Sequence, residues 1–325
     1  MASMAAAITL SLLWPELGAP GGPIDFGLLT KAGIALVFFL HGAALSPAAL
    51  KAGATHWQLH LLVQGTTFVL FPLLGGLIWF ATPHLLPEGL RLGFFFLCAI
   101  CSTISSSVAM TAMARGNVAA AIFNATLSGL IGMILTPLLM GIVSALGQGG
   151  PTIGAAILDI VKALLAPFLI GHLCRPLIGD LIARHKKIVS LLDRGVIVLI
   201  VFVSFAESTA AGLWSRFGIV TLALVALIAL VLLGIALGCT TFFSRRLGLS
   251  RPDEAAAVFC GSKKSLANGA PIAKILFAGH PAIGMIVLPL LIYHQIQLIV
   301  CAMLARRYAA AVTSSEVRPE SRAAG

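Results

Sequence analysis

The sequence predicts an all-α polytopic membrane protein whose ten transmembrane helices form a five-plus-five inverted repeat. Three observations predict it. Hydrophobic residues make up 59% of the 325, charged ones only 10%, and mean hydropathy is +1.05, far from the balance of a soluble domain. Apolar runs recur at about the length a helix needs to cross hydrocarbon, roughly 20 residues. An apolar octapeptide also recurs on the two sides of a Gly/Pro divider.

The spans follow from the apolar runs, with charge, Pro and Gly clusters as boundaries: 2–14, 26–45, 58–81, 90–113, 117–143, 152–174, 189–207, 217–243, 254–278 and 281–305. The first is short, ends at Trp14-Pro15 and lacks the basic start of a secretory signal, so it reads as an abbreviated helix. From Ala309 the chain turns small, polar and Pro-containing, which predicts a disordered tail over 309–325. The divider "GQGGP", Gly147 to Pro151, splits the spans into a first repeat, 1–148, and a second, 149–308. "GMILTPLL" from Gly132 matches "GMIVLPLL" from Gly284 at six of eight positions, each in the fifth span of its half. Because five is odd, the second half enters from the opposite face, the inverted topology typical of secondary transporters.

Basic residues set the orientation. Of 21 Lys and Arg, fourteen fall in alternate connectors or the tail: Lys51, Arg115, Arg175, Arg184, Lys186, Lys187, Arg194, Arg245, Arg246, Arg251, Arg306, Arg307, Arg318 and Arg322. Lys31, Arg91 and Arg216 lie on the other side. The positive-inside rule then puts both termini in the cytoplasm, in what reads as a bacterial inner membrane. The formal net charge of +10 does not indicate nucleic acid, since these residues sit between apolar runs rather than on one solvated face. The six cysteines are scattered through apolar segments without clustered His partners; no zinc site or other cofactor is expected.

Polar residues inside the spans carry the functional signal. The fourth span contains "CSTISSSVAM", with Ser102, Thr103, Ser105, Ser106 and Ser107; the ninth contains "GSKKS", Gly261 to Ser265. Serine competes for backbone hydrogen bonds and glycine weakens a helix, so both stretches are candidate breaks, at matching places in the two halves. Broken helices at membrane depth are tolerated where they line a cavity, and they mark transporter binding sites. A single serine would more often be helix-packing glue. Lys263 and Lys264 are costly there, roughly 2.5–3.5 kcal/mol each at the bilayer centre, which argues for a task; the bland alternative is one lysine reaching to the interface as an anchor. A half-helix starting near Ser265 and running through Asn268 would add a positive N-terminal end. Gln64, Thr66 and Thr67 in the third span and Tyr293, His294, Gln295 and Gln297 in the tenth are further candidates, with Gln295 and Gln297 pointing different ways on a helix. His41 and His172 read as interfacial.

The stretches "SSSVAMTAMARGNVAAA" from Ser105, "FCGSKKSLANGAPIAKILF" from Phe259 and "YHQIQL" from Tyr293 resemble the bile acid:sodium symporter superfamily. The resemblance is to its divergent branch of bacterial sodium/bile-acid-symporter-like proteins, which has one distant animal solute-carrier relative. It covers nearly the whole chain. It implies a panel domain and a core domain, with the fourth and ninth helices crossing in the core, and organic anions carried with sodium. Carried over, the family's sodium ligands fall on Ser106, Ser107 and Val108 in the fourth helix, beside Asn124, Thr126 and Ser128 in the fifth. The ninth-helix glutamate and its neighbouring glutamine, however, match Phe259 and Lys263. A hard cation needs oxygen ligands and is repelled by an ammonium. The expectation is therefore a secondary transporter of a small organic anion, with lysines tethered where sodium sits in relatives. Sodium and a proton remain the candidate coupling ions. Sodium symport as in the wider superfamily and a membrane regulator of ion homeostasis are the alternatives. An enzyme using "SKKS" is disfavoured, as no HExxH or GxSxG motif accompanies it.

Overall fold

The computed structural model describes residues 2–18, 26–44, 56–146, 158, 161–210, 212 and 218–317. It is all-helical, with no strand among the described residues. In order come α1 (Ala2–Leu13), α2 (Phe26–Ala44), α3 (Trp57–Ala81), α4a (Glu88–Ala99), α4b (Ser105–Met113), α5 (Val118–Leu146), α6 (161–184), α7 (Lys186–Ala210), α8 (Ile219–Arg246), α9a (Arg251–Gly261), α9b (Leu266–Leu276) and α10 (Ile283–Val317). Seven of these helices, α2, α3, α5, α6, α7, α8 and α10, are long and apolar enough to cross a membrane.

Local sequence explains the ends. α8 is uncharged until Arg245 and Arg246, whose charge suits the negative end of a helix. Gly248 then takes φ +67°, and its N–H and that of Leu249 close on the carbonyls of Arg245 and Ser244, so the chain reverses within a few residues. Ser250 caps α9a by accepting from the Asp253 N–H, and Asp253 and Glu254 occupy its first turn. α3 carries a π segment, Thr66–Leu70, immediately before Pro72. In that register the Thr67 carbonyl faces proline, which has no N–H to give.

Packing sorts the helices. α2 lies along α6 and α7, and α1 along α7; α3, α4a, α4b, α5, α8, α9a and α10 pack among themselves. The α2–α6 contact is backbone-close: a Cβ at Gly42 would collide with the Phe168 carbonyl, and one at Gly171 with the Phe39 carbonyl. α7 meets α9b and α10, and between α7 and α9b the Lys274 ammonium pairs with the Glu207 carboxylate at 2.6 Å.

Two expectations are corrected. α6 continues to Arg184 and α7 starts at Lys186, leaving His185 as the link, so Arg175 and Arg194 are helical rather than in connectors. A helix need not stop where its apolar run stops. α10 carries the chain to Val317, so the segment 309–317 is helical, not disordered; its Ala-rich start is a good helix former. The repeat boundary at 148 and the tail from 318 lie outside the described residues.

Candidate functional site

Two interrupted helices meet back to back. α4a ends as Ile100 turns extended (φ −72°, ψ 149°), and α4b begins at Ser105; α9a ends at Gly261, and Ser265, also extended (φ −86°, ψ 109°), opens α9b. The Ser265 N–H donates to the Cys101 carbonyl at 3.0 Å, joining one break to the other. Each break leaves carbonyls that a continuous helix would have paired.

Those carbonyls are satisfied almost one by one. Lys264 Nζ donates to Ile100 O at 2.7 Å, Cys98 O at 2.9 Å and Thr67 O at 3.1 Å. The third acceptor is the carbonyl that the π segment and Pro72 leave over. Thr136 Oγ1 donates to Ala99 O at 2.8 Å, completing the end of α4a. On α9a, Ser107 Oγ donates to Phe259 O at 2.9 Å and Ser102 Oγ to Cys260 O at 2.6 Å. Tyr293 Oη donates to Ser262 O at 2.6 Å, and Gln297 clasps the Lys264 peptide, accepting from its N–H at 2.8 Å and donating to its carbonyl at 2.9 Å.

Both lysines are fully buried. The ammonium of Lys264 also lies 4.0 Å from the centroid of the Phe71 ring, a cation–π contact in a water-poor setting. Lys263 Nζ donates to Ser106 O at 2.9 Å. Thus the two neighbours reach in different directions, as adjacent residues leaving a helix should. Phe259, at the position matched to the family's glutamate, is buried among Ala255, Val258, Cys301 and Tyr308. Asp253 and Glu254 stay at the other end of α9a, held by Asn117, Ser250, Arg245 and Tyr308.

The remaining candidates divide. Ser128 Oγ accepts from the Ser102 N–H at 2.9 Å, and Asn268 donates toward Cys101 Sγ at 3.1 Å, so both belong to the junction. The Ser106 hydroxyl is buried without a hydrogen-bond partner. Thr67 contributes its carbonyl, while its hydroxyl turns back to Val63 O at 2.8 Å. Gln64 donates to Asn124, and the Asn124 amide bonds His60 in turn, in a separate polar cluster between α3 and α5. On α10 it is Gln297, rather than Gln295, that grips the junction.

One side of the junction opens on a cavity of about 410 Å³, within the range of small-molecule sites. The starts of α4b and α9b border it, through Ser105 and Ser265, together with Thr103, Thr126 and Asn268. His41 of α2 and Asp193 of α7, 3.5 Å apart, line it as well. Helix N-termini present unpaired N–H groups and positive dipole ends, an arrangement that receives anions. A larger hollow of about 660 Å³ between α8 and α10 has apolar and arginine lining and touches neither break. Sequence reasoning passed over Thr136, Asp193 and the role of His41; Thr136 was visible as the single polar residue of the repeated octapeptide, while the His41–Asp193 juxtaposition had no local signal.

The model of the SBF-like CPA transporter family matches residues 1–310. YfeH of Escherichia coli (strain K12) is 45% identical over 97% of this chain and 95% of its own length. The uncharacterized protein PA2026 of Pseudomonas aeruginosa is 46% identical over 94% and 91%. Sodium/bile acid cotransporter 7 of Rattus norvegicus is 30% identical over 94% and 90%. The chain belongs to the SBF-like CPA transporter family, of the bile acid:sodium symporter type.

Proposed function

We propose that this protein is a secondary transporter of a small organic anion, working by alternating access of a core against a panel, with fixed ammonium groups in place of sodium at the crossover. α1, α2, α6 and α7 form the panel; the other helices form the core. The ten spans make a five-plus-five inverted repeat with both termini cytoplasmic, in a bacterial inner membrane. The anion binds in the 410 Å³ cavity against the starts of α4b and α9b, where Ser105, Thr126, Ser265 and Asn268 offer hydrogen bonds.

The observation that carries the reading is the Lys264 ammonium among the carbonyls of Thr67, Cys98 and Ile100. Such a convergence of oxygens suits a bare cation, and here a covalently tethered one fills it. The Lys263 ammonium on Ser106 O and the apolar Phe259 support the same substitution nearby. An enzymatic role for Lys263 or Ser265 draws no support from this geometry, since the ammonium bonds a carbonyl and the hydroxyl caps α9b.

The test is ligand stabilisation and flux together. Melting of the purified protein across a set of carboxylates and sulfonates should find anions that raise the midpoint, because a native-state ligand stabilises. Cholate, a bile acid as in the names of the animal relatives, belongs in the set, and a stabilising anion should enter proteoliposomes. If none stabilises and none enters, the transport reading fails and the regulator reading takes its place. The sodium-coupled alternative, which the relatives' cotransporter name favours, predicts steep sodium dependence in the same vesicles.

A further inference from the structure

We infer that the His41–Asp193 pair is a proton-binding site that sets the charge of the cavity, so that the anion is accepted together with a proton. The inference rests on the transport reading for its purpose, though not for its geometry. His41 and Asp193 are the two titratable side chains among the described residues that line the cavity. They line the same cavity as the starts of α4b and α9b. Without a proton the pair carries one negative charge on the lining of the cavity that is to hold the anion. One proton taken up by the imidazole gives an imidazolium–carboxylate pair of zero net charge, and the repulsion disappears. Low dielectric and partial shielding from salt keep that change large at the anion's position.

The pair does not look built as a structural clasp. At 3.5 Å it is longer than a well-made hydrogen bond, Asp193 Oδ1 is buried without a hydrogen-bond partner, and the two side chains keep 26% and 21% of their surface accessible. Other charges nearby come from two elements. Arg194 is next to Asp193 on α7, and His172 and Arg175 lie on α6, which packs along α2. α4b, α5 and α9b put no titratable side chain into the cavity wall. Phe38 stands beside His41 with ring centroids 6.1 Å apart, walling one flank of the imidazole with hydrocarbon.

The charge of the cavity can be read without knowing the substrate. A cysteine placed at Ala267, in a background with Cys174→Ala and Cys239→Ala and the buried cysteines retained, reports on the cavity lining. Its reaction rates with a sulfonate-bearing and a trimethylammonium-bearing methanethiosulfonate are measured in nanodiscs from pH 8 to pH 5.5, the window in which histidine titrates. Their ratio cancels the ionisation of the thiol. We expect the sulfonate-to-ammonium ratio to rise roughly fivefold or more as pH falls. His41→Gln should hold it low at both ends, and Asp193→Asn should hold it high already at pH 8. An unchanged rise in both variants would overturn the inference, as would failure of the reagents to reach a cysteine at either Ala267 or Thr126. Cholate uptake under an inward proton gradient is the separate arm: a pH-dependent cavity without flux sinks the transport reading and leaves the proton site standing.

Discussion

Lys264 shows how a charge survives in an apolar interior. Its ammonium donates to three carbonyls, each orphaned for a stated reason: two at the end of α4a and one opposite Pro72 in the π segment of α3. Lys264→Met relieves the ammonium's own desolvation but strands three dry acceptors. The balance should cost about 2–4 kcal/mol. Lys263→Met strands the single Ser106 carbonyl and should cost about 1 kcal/mol. Thermal melting of the two variants in detergent checks this, and equal losses would mean that Lys264 is not the brace. The lysines were legible in the sequence as an expensive exception. Which carbonyls they serve was not, because Thr67 and Lys264 are 197 positions apart and meet through the packing of α3 against α9a.

At the scale of elements, the breaks at 100–104 and 262–265 fall where Ser and Gly cluster, because local hydrogen-bonding competition is a property of short sequence. The hydroxyls do more than unwind, however. Ser102 and Ser107 cap α9a rather than their own helix, so the fourth-helix cluster belongs energetically to the ninth. Replacing Ser102 and Ser107 together with Ala should leave two α9a carbonyls unmet and lower stability by roughly 2 kcal/mol or more, whereas Thr9→Ala in α1 should change little; melting curves separate the two. The α2–α6 contact sets a second expectation. Gly171→Leu must push α2 away from α6, because even a Cβ at Gly171 meets the Phe39 backbone. Chromatographic monodispersity and melting should both suffer, while Gly76→Ala, with open space around it, should be silent. α6 does not end at residue 174 as its apolar run does, because hydropathy marks where hydrocarbon ends, and the helix runs on through Arg175 to Arg184.

For the whole molecule, α7 and α9b are linked at the end away from the cavity. The Lys274–Glu207 pair joins α9b to α7, and the Ser208 hydroxyl accepts from the Gly284 N–H at 2.8 Å beside it. The cavity lies toward the opposite ends of these helices, at His41 and Asp193. Glu207→Gln should therefore loosen this link and raise maleimide labelling of a cysteine placed at the buried Ala282, measured against the same cysteine in wild-type background; unchanged labelling would mean that apolar packing alone holds it. Orientation was read from the distribution of basic residues. It predicts that a cysteine at Lys187 escapes an impermeant label applied outside intact cells while one at Gln148 is reached, and the reverse pattern would invert the topology.

The central claim is that the crossover holds its own cation. Uptake of a stabilising anion into proteoliposomes, with external sodium exchanged for choline, tests it most directly, in wild type and in Lys263→Gln and Lys264→Gln. The account predicts wild-type uptake that does not depend steeply on sodium and that is lost or strongly reduced when Lys264, which bridges α3, α4a and α9, is replaced. Uptake that saturates with sodium in wild type and survives both substitutions would contradict it, leaving the lysines as structural pins and sodium as the coupling cation, as in the animal relatives' name.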